Sequence, residues 1–179
     1  MNPAHRSTWA RLWESHRAES TERAAVDGVR SRLWRLAGEF GVERSAPHLF
    51  TRAGGARRCE YSLRGDALAL PPTDAISKGA LGVRFIAERG AVVQFDVRLE
   101  AVSAAGQPVV LAVHRDPEPR GLGACGHALG HCHVGPDLDS RPKVRLPFPA
   151  GDPLSALDWV LASAIPAWEP APWEQLARI

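Results

Sequence analysis

The stretch Val93-Gln-Phe-Asp-Val-Arg-Leu-Glu-Ala101 alternates apolar and polar residues without a break. Side chains on a β-strand point to opposite faces in turn, so this period of two predicts a strand with one buried and one solvated face. The same period recurs over 59–64 and 81–88, and residues 108–114 supply a further apolar strand. The sequence therefore places a β-sheet at the centre of the protein.

Short turn-forming segments join these strands. Arg89-Gly90 separates the strands 81–88 and 93–101, and Ala104-Ala105-Gly106-Gln107 follows the second of them. Connections this short join antiparallel neighbours, because parallel strands require a crossover of a dozen or more residues. We therefore expect an antiparallel sheet of about five or six strands over residues 48–134.

Helices are predicted before and after the sheet region in the sequence. Apolar residues recur at helical spacing from Ser7 to Gly41, and a polar interruption near Ser20 predicts two helices or one kinked helix, with Ser20 as the second N-cap. Asp152 followed by Pro153 is typical of a helix start. We expect one α+β domain whose helices cover the apolar face of the sheet, with a helical arm (1–41), a sheet region (48–149), and a helix with a Trp- and Pro-containing tail (152–179).

Composition and charge set the broad class of protein. Of the 179 residues, 45% are hydrophobic and 23% charged, which excludes an intrinsically disordered chain. The formal net charge of +2 does not indicate a nucleic-acid partner. We find neither a secretory signal nor an apolar run of the about 18 residues that a membrane helix needs. With three cysteines, an odd number, we expect a reduced cytoplasmic protein.

Cysteine and histidine are concentrated between Cys125 and His133. These nine residues hold two of the three cysteines and three of the seven histidines. On a strand, His127, His131 and His133 would share one face, with Cys132 and Val134 on the other. The alternation elsewhere in the sheet places Asp96, Glu100 and His114 on the same outward face.

Three hypotheses follow for this face. In the first, His127, His131 and His133 bind zinc with Cys125 or His114 assisting, and Glu100, Asp96 or Asp137 acts as general base of a metal-dependent hydrolase or nuclease. In the second, two histidines are the acid and base of a metal-independent ribonuclease, and an arginine or lysine holds the phosphate; the basic residues considered are Arg98, Arg141, Lys143 and Arg145.

In the third hypothesis the protein is a non-catalytic interaction module. Trp168 and Trp173 lie in a proline-containing tail that has no core of its own, so they either fold back on the domain or bind another protein. We expect both indoles to be at least half buried.

Overall fold

The structure is a computed structural model, and it describes residues 20–65, 67–115, 130–137, 145–147 and 152–169. These residues form one antiparallel sheet and two α-helices, which confirms the α+β class. The helices are α1 (Glu22–Glu39) and α2 (Pro153–Ala164), and a 3-10 helix spans Ala46–Leu49. The strands are β1 (Phe50–Gly54), β2 (Arg58–Leu63), β3 (Leu68–Leu70), β4 (Ile76–Glu88), β5 (Ala91–Ser103), β6 (Pro108–Arg115), β7 (Gly130–Gly135) and β8 (Arg145–Pro147).

The sheet has more strands than the sequence pattern indicates. Its order is β1-β2-β4-β5-β6-β7-β8, with β3 also paired to β4, so the described residues form eight strands where five or six were expected. Strands β3 and β8 have three residues each, too few to show a period of two. Strand β8 also lies beyond residue 134, after the range in which the strands were expected.

The β4–β5 hairpin is the longest pairing in the sheet. Its turn consists of Arg89 and Gly90, both with positive φ (51° and 83°), the geometry that matches the twist of two hydrogen-bonded strands. Phe95, Val97 and Leu99 are buried, as the alternation predicted. A register shift next to Ile86 makes Val92 the buried residue at the start of β5, whereas Val93 had been expected there.

Helix α1 begins on this hairpin turn. Thr21, and not Ser20, is the N-cap: its Oγ1 accepts a hydrogen bond from the amide of Ala24 at 3.2 Å. The Ser20 carbonyl instead accepts from the amide of Val92, and the amide of Glu22 donates to the carbonyl of Gly90. Ser20, which the local sequence favoured as the N-cap, is therefore hydrogen-bonded to β5 through its backbone. Residues 7–19 of the expected helix lie outside the described residues.

Helix α2 starts where the sequence predicts. The Asp152 carboxylate accepts hydrogen bonds from the amides of Leu154 and Ser155 at 2.8 and 3.0 Å, and Pro153 occupies the first turn. Both helices add buried residues to the core formed with the strands: Ala25, Val26, Val29, Leu33, Leu36, Leu154, Ala156, Leu157, Val160, Leu161 and Ala164. Neither helix in the described ranges is long and apolar enough to cross a membrane.

A buried ion pair joins the two helices. The guanidinium of Arg32 contacts both carboxylate oxygens of Asp158, at 3.0 and 2.6 Å, and the side chain of Asp158 is only 4% exposed. The indole of Trp168 donates to the same carboxylate at 3.2 Å and is itself buried, as expected. Trp168 thus packs on its own domain and is not presented to a partner. Trp173 lies outside the described residues.

We expect Asp158→Asn to lower the free energy of unfolding by about 3 kcal/mol, because it leaves the Arg32 charge buried without a counter-ion. The control is Asp27→Asn, which removes an exposed ion pair with Arg23 and should cost under about 1 kcal/mol. Urea unfolding of both variants measures the difference. Equal effects would show that the buried pair has no special role.

A second polar network fixes the start of α1 against β2. The Glu22 carboxylate accepts hydrogen bonds from the hydroxyl of Tyr61 at 2.5 Å and from the thiol of Cys59 at 3.1 Å. These bonds lower the pKa of Glu22, whereas burial and the bond to Glu22 raise the pKa of Tyr61 to about 12. Cys59 is buried, and burial raises the pKa of its thiol.

The titration of Tyr61 tests this network directly, since it is the protein's one tyrosine. Its folded pKa of about 12 exceeds the ordinary value of 10.0, so the neutral phenol stabilises the fold below pH 10 and this contribution is lost as the pH rises toward 12. Phenolate absorbance should therefore titrate higher in native protein than in urea. In Glu22→Gln the native midpoint should fall toward the value in urea. Coincident native and unfolded midpoints would contradict the network.

Candidate histidine site on the outer sheet face

The strand register aligns polar residues across the sheet. Asp96 on β5 lies opposite Arg84 on β4 and His114 on β6, and His114 lies opposite His131 on β7. In the next row on the same face, Arg98 lies opposite Ala112, and Ala112 opposite His133. The pairing thus brings residues that are far apart in sequence onto one face, across four neighbouring strands.

Three imidazoles form a compact histidine cluster, defined as His114, His131 and His133. Their ring centroids are 5.5 Å apart for His114 and His131, 5.1 Å for His114 and His133, and 4.9 Å for His131 and His133. Asp96 lies beside the cluster, with its Oδ1 at 3.4 Å from Nδ1 of His114. Each ring therefore contacts both others, and a carboxylate faces one of them.

The outer face is less solvated than the alternation suggests. His131 is only 6% exposed, and Ala112 and Val110, which also point outward, are buried. Strand β7 lies between β6 and β8, so His131 has a paired strand on each side. On the opposite face Cys132 joins the core as expected, while Val134, expected to be buried, is 44% exposed near the end of β7.

Asp96 is the acidic group best placed to act on the cluster. Its Oδ1 is buried and has no hydrogen-bond partner within the described ranges, and Nδ1 of His114 is the nitrogen it faces, at 3.4 Å. A carboxylate beside one ring nitrogen of a histidine can orient the ring, which leaves the other nitrogen to face elsewhere. The same arrangement serves a metal-ligating histidine and a histidine acting as a general base.

The other residues named from the sequence are further from the cluster or outside the structure. Glu100 is on the same face but lies opposite Val110, and its carboxylate is 3.6 Å from Nε of Arg98. Asp137 is exposed just after β7, and the backbone of Arg145 pairs with His133. The remaining four lie outside the described residues: Cys125, His127, Arg141 and Lys143.

The donor atoms of the cluster are not arranged around a common point. Among the residues that the structure describes, no group of three or more His, Cys, Asp or Glu side chains is placed to hold a metal ion. The ring spacing is nevertheless that of a metal site: imidazoles bound to one tetrahedral zinc at about 2.0 Å have centroids about 5 Å apart. The cluster thus has the ring separations of a zinc site but lacks the orientation of its nitrogens.

Sequence reasoning missed a pocket beside the cluster. A cavity of about 270 Å³ lies on the outer face and shares Asp96 with the cluster; it is lined by Glu60, Ser62, Leu63, Gly82, Val83, Arg84, Asp96 and Arg98. Arg84 donates two parallel hydrogen bonds to Glu60, at 2.7 and 2.9 Å. The period of two had placed Glu60, Arg84 and Arg98 on polar faces, but only the strand order brings them together.

Comparison with protein-family models, with curated proteins and with solved structures finds no match to this chain.

Proposed function

We propose that the protein binds zinc at the histidine cluster and uses it for hydrolysis. The observation that carries the proposal is the mutual contact of three imidazoles at centroid separations of 4.9 to 5.5 Å. Imidazole nitrogen is a preferred zinc ligand, and three such ligands are the set found in open catalytic sites.

Binding requires the rings to turn about their side-chain torsions. The centroid separations are close to those of imidazoles that share one ion, and the proposal requires ring rotations that turn one nitrogen of each ring to a common point. Asp96 supports His114 in this arrangement, because a carboxylate on Nδ1 raises the basicity of the other ring nitrogen. His127 and Cys125 precede β7 in the chain, and we retain them as alternative ligands, either of which would take the place of one histidine of the cluster.

The chemistry proposed for the site is activation of water. A zinc ion held by three protein ligands would keep a position for water and would lower the pKa of that water to about 7. Asp96 supports His114, and we assign the general base to Glu100, which lies on the same face of β5. The class of reaction is hydrolysis of an ester or phosphodiester. We place it in the cytoplasm, where Cys59 and Cys132 would remain the buried thiols that the structure shows.

Zinc binding is tested on protein purified without a histidine tag. We expect about one zinc per chain by elemental analysis and a rise in stability of about 2.7 kcal/mol when zinc is 100-fold above its Kd. His133→Gln should weaken zinc binding at least about tenfold, because it removes one of three ligands. His48→Gln is the matched control, since His48 is exposed and packs against Trp34, apart from the cluster.

Two results would remove the metal proposal. One is less than about 0.1 zinc per chain with no change in melting temperature on adding zinc, since a ligand specific to the native state must stabilise it. The other is equal zinc affinity in His133→Gln and His48→Gln.

A second function is favoured by the contact between His114 and Asp96 together with the absence of a converged ligand set in the described ranges. In this alternative His114, oriented by Asp96, is a general base, and His131 or His133 is the acid of a metal-independent ribonuclease. The flanking carboxylates of Asp96 and Glu100 make Arg98 a weak phosphate ligand, so this alternative ranks second.

Cleavage of a phosphodiester or RNA substrate in EDTA separates the two functions. The metal-dependent enzyme should lose its activity in EDTA and regain it with zinc, because the water is activated by the ion. Activity that persists in EDTA and falls at least about 100-fold in His114→Gln would establish the acid–base alternative instead. His48→Gln again serves as the control.

A further inference from the structure

The pocket on the outer face has the features of a recognition site next to the histidine cluster. It is lined by residues of β2, β4 and β5, and one of them, Asp96, also lies beside His114 of the cluster. Asp96 and His114 are directly opposite one another on paired strands, so the Asp96 wall of the pocket lies one strand spacing, about 5 Å, from His114.

The charges that line the pocket cancel. Two arginines and two carboxylates contribute, namely Arg84, Arg98, Glu60 and Asp96. Arg84 and Glu60 form a bidentate pair that neutralises both groups and lowers the pKa of Glu60. A neutral lining discriminates by hydrogen bonds and not by net charge, which favours an uncharged ligand over an anion.

Two groups in the pocket have hydrogen-bonding capacity to spare. Arg98 contacts Glu100 at 3.6 Å, beyond hydrogen-bond distance, so its N–H donors are available. The side chain of Asp96 is 35% exposed and lines the pocket, so its carboxylate can accept from a molecule there while Oδ1 faces His114. The two residues are separated by one position on β5 and therefore project from the same face, a donor beside an acceptor.

We propose that this pocket binds a small uncharged ring that carries N–H donors next to a carbonyl acceptor, as a guanine base does. Asp96 would accept from the N–H groups, and Arg98 would donate to the carbonyl and its neighbouring ring nitrogen, the pairing arginine makes with guanine. The cavity of about 270 Å³ is close to the lower size limit of small-molecule sites and suits one base. This inference rests on the proposed hydrolytic function in one respect: the bound base is taken to be part of the substrate that is hydrolysed.

The experiment measures guanosine binding by titration calorimetry on protein freed of metal with EDTA. We expect saturable binding that Arg98→Gln weakens at least about tenfold. Arg30→Gln, an exposed arginine on α1, is the matched control and should bind as the wild type does. Ser62→Val narrows the pocket wall while favouring the strand, so it should weaken binding with no loss of melting temperature.

Three outcomes would overturn the proposal. They are absence of saturable guanosine binding, equal affinity in Arg98→Gln and Arg30→Gln, and displacement of guanosine by inorganic phosphate, which would show an anion site. Zinc titration of His133→Gln is independent of these measurements. If His133→Gln loses zinc binding but still binds guanosine, the guanosine site is confirmed as separate from the metal site. If the wild type binds zinc but not guanosine, the guanosine site is refuted and the metal site is not.

Discussion

The register of the β4–β5 hairpin is the constraint on which the other features depend. It is fixed by two residues with positive φ at the turn, Arg89 and Gly90, and by buried pairs such as Phe85 with Phe95. A slip of one residue would carry Phe95 to the solvent and Asp96 into the core. The same turn receives the first amide of α1, so the position of the helix follows from the hairpin as well.

Where local sequence alone decides the structure, the pattern predicted it well. The alternation of β5, the Arg89-Gly90 turn and the capped start of α2 are confirmed because each depends on neighbouring residues. The N-cap of α1 was predicted one residue early, since Ser20 is drawn into a backbone hydrogen bond with Val92. The burial of Asp158 was not foreseen, because its partner Arg32 is on the other helix.

The candidate site was predictable only in the part that depends on alternation along a single strand. Parity assigns Asp96, His114, His131 and His133 to outward positions, but it does not state which outward residues become neighbours. That is decided by the pairing of β6 with β7, which places His114 opposite His131 and leaves Glu100 opposite Val110. The pocket was missed because it requires residues of β2, β4 and β5 together, and no single strand contains its chemistry.

Strand β1 is at one end of the strand order, and most of its residues are exposed. Only Phe50 of this strand is buried, and within the described ranges β1 pairs with β2 alone. An unpaired strand edge is a template for another chain. Here Arg52 lies on that edge, and Gly54, with φ of +97°, ends the strand after five residues. Resistance to pairing of one molecule's edge with the next therefore depends on a five-residue strand in which only Phe50 is buried, and a change at its exposed positions would alter association between molecules while leaving the core contacts of Phe50 in place.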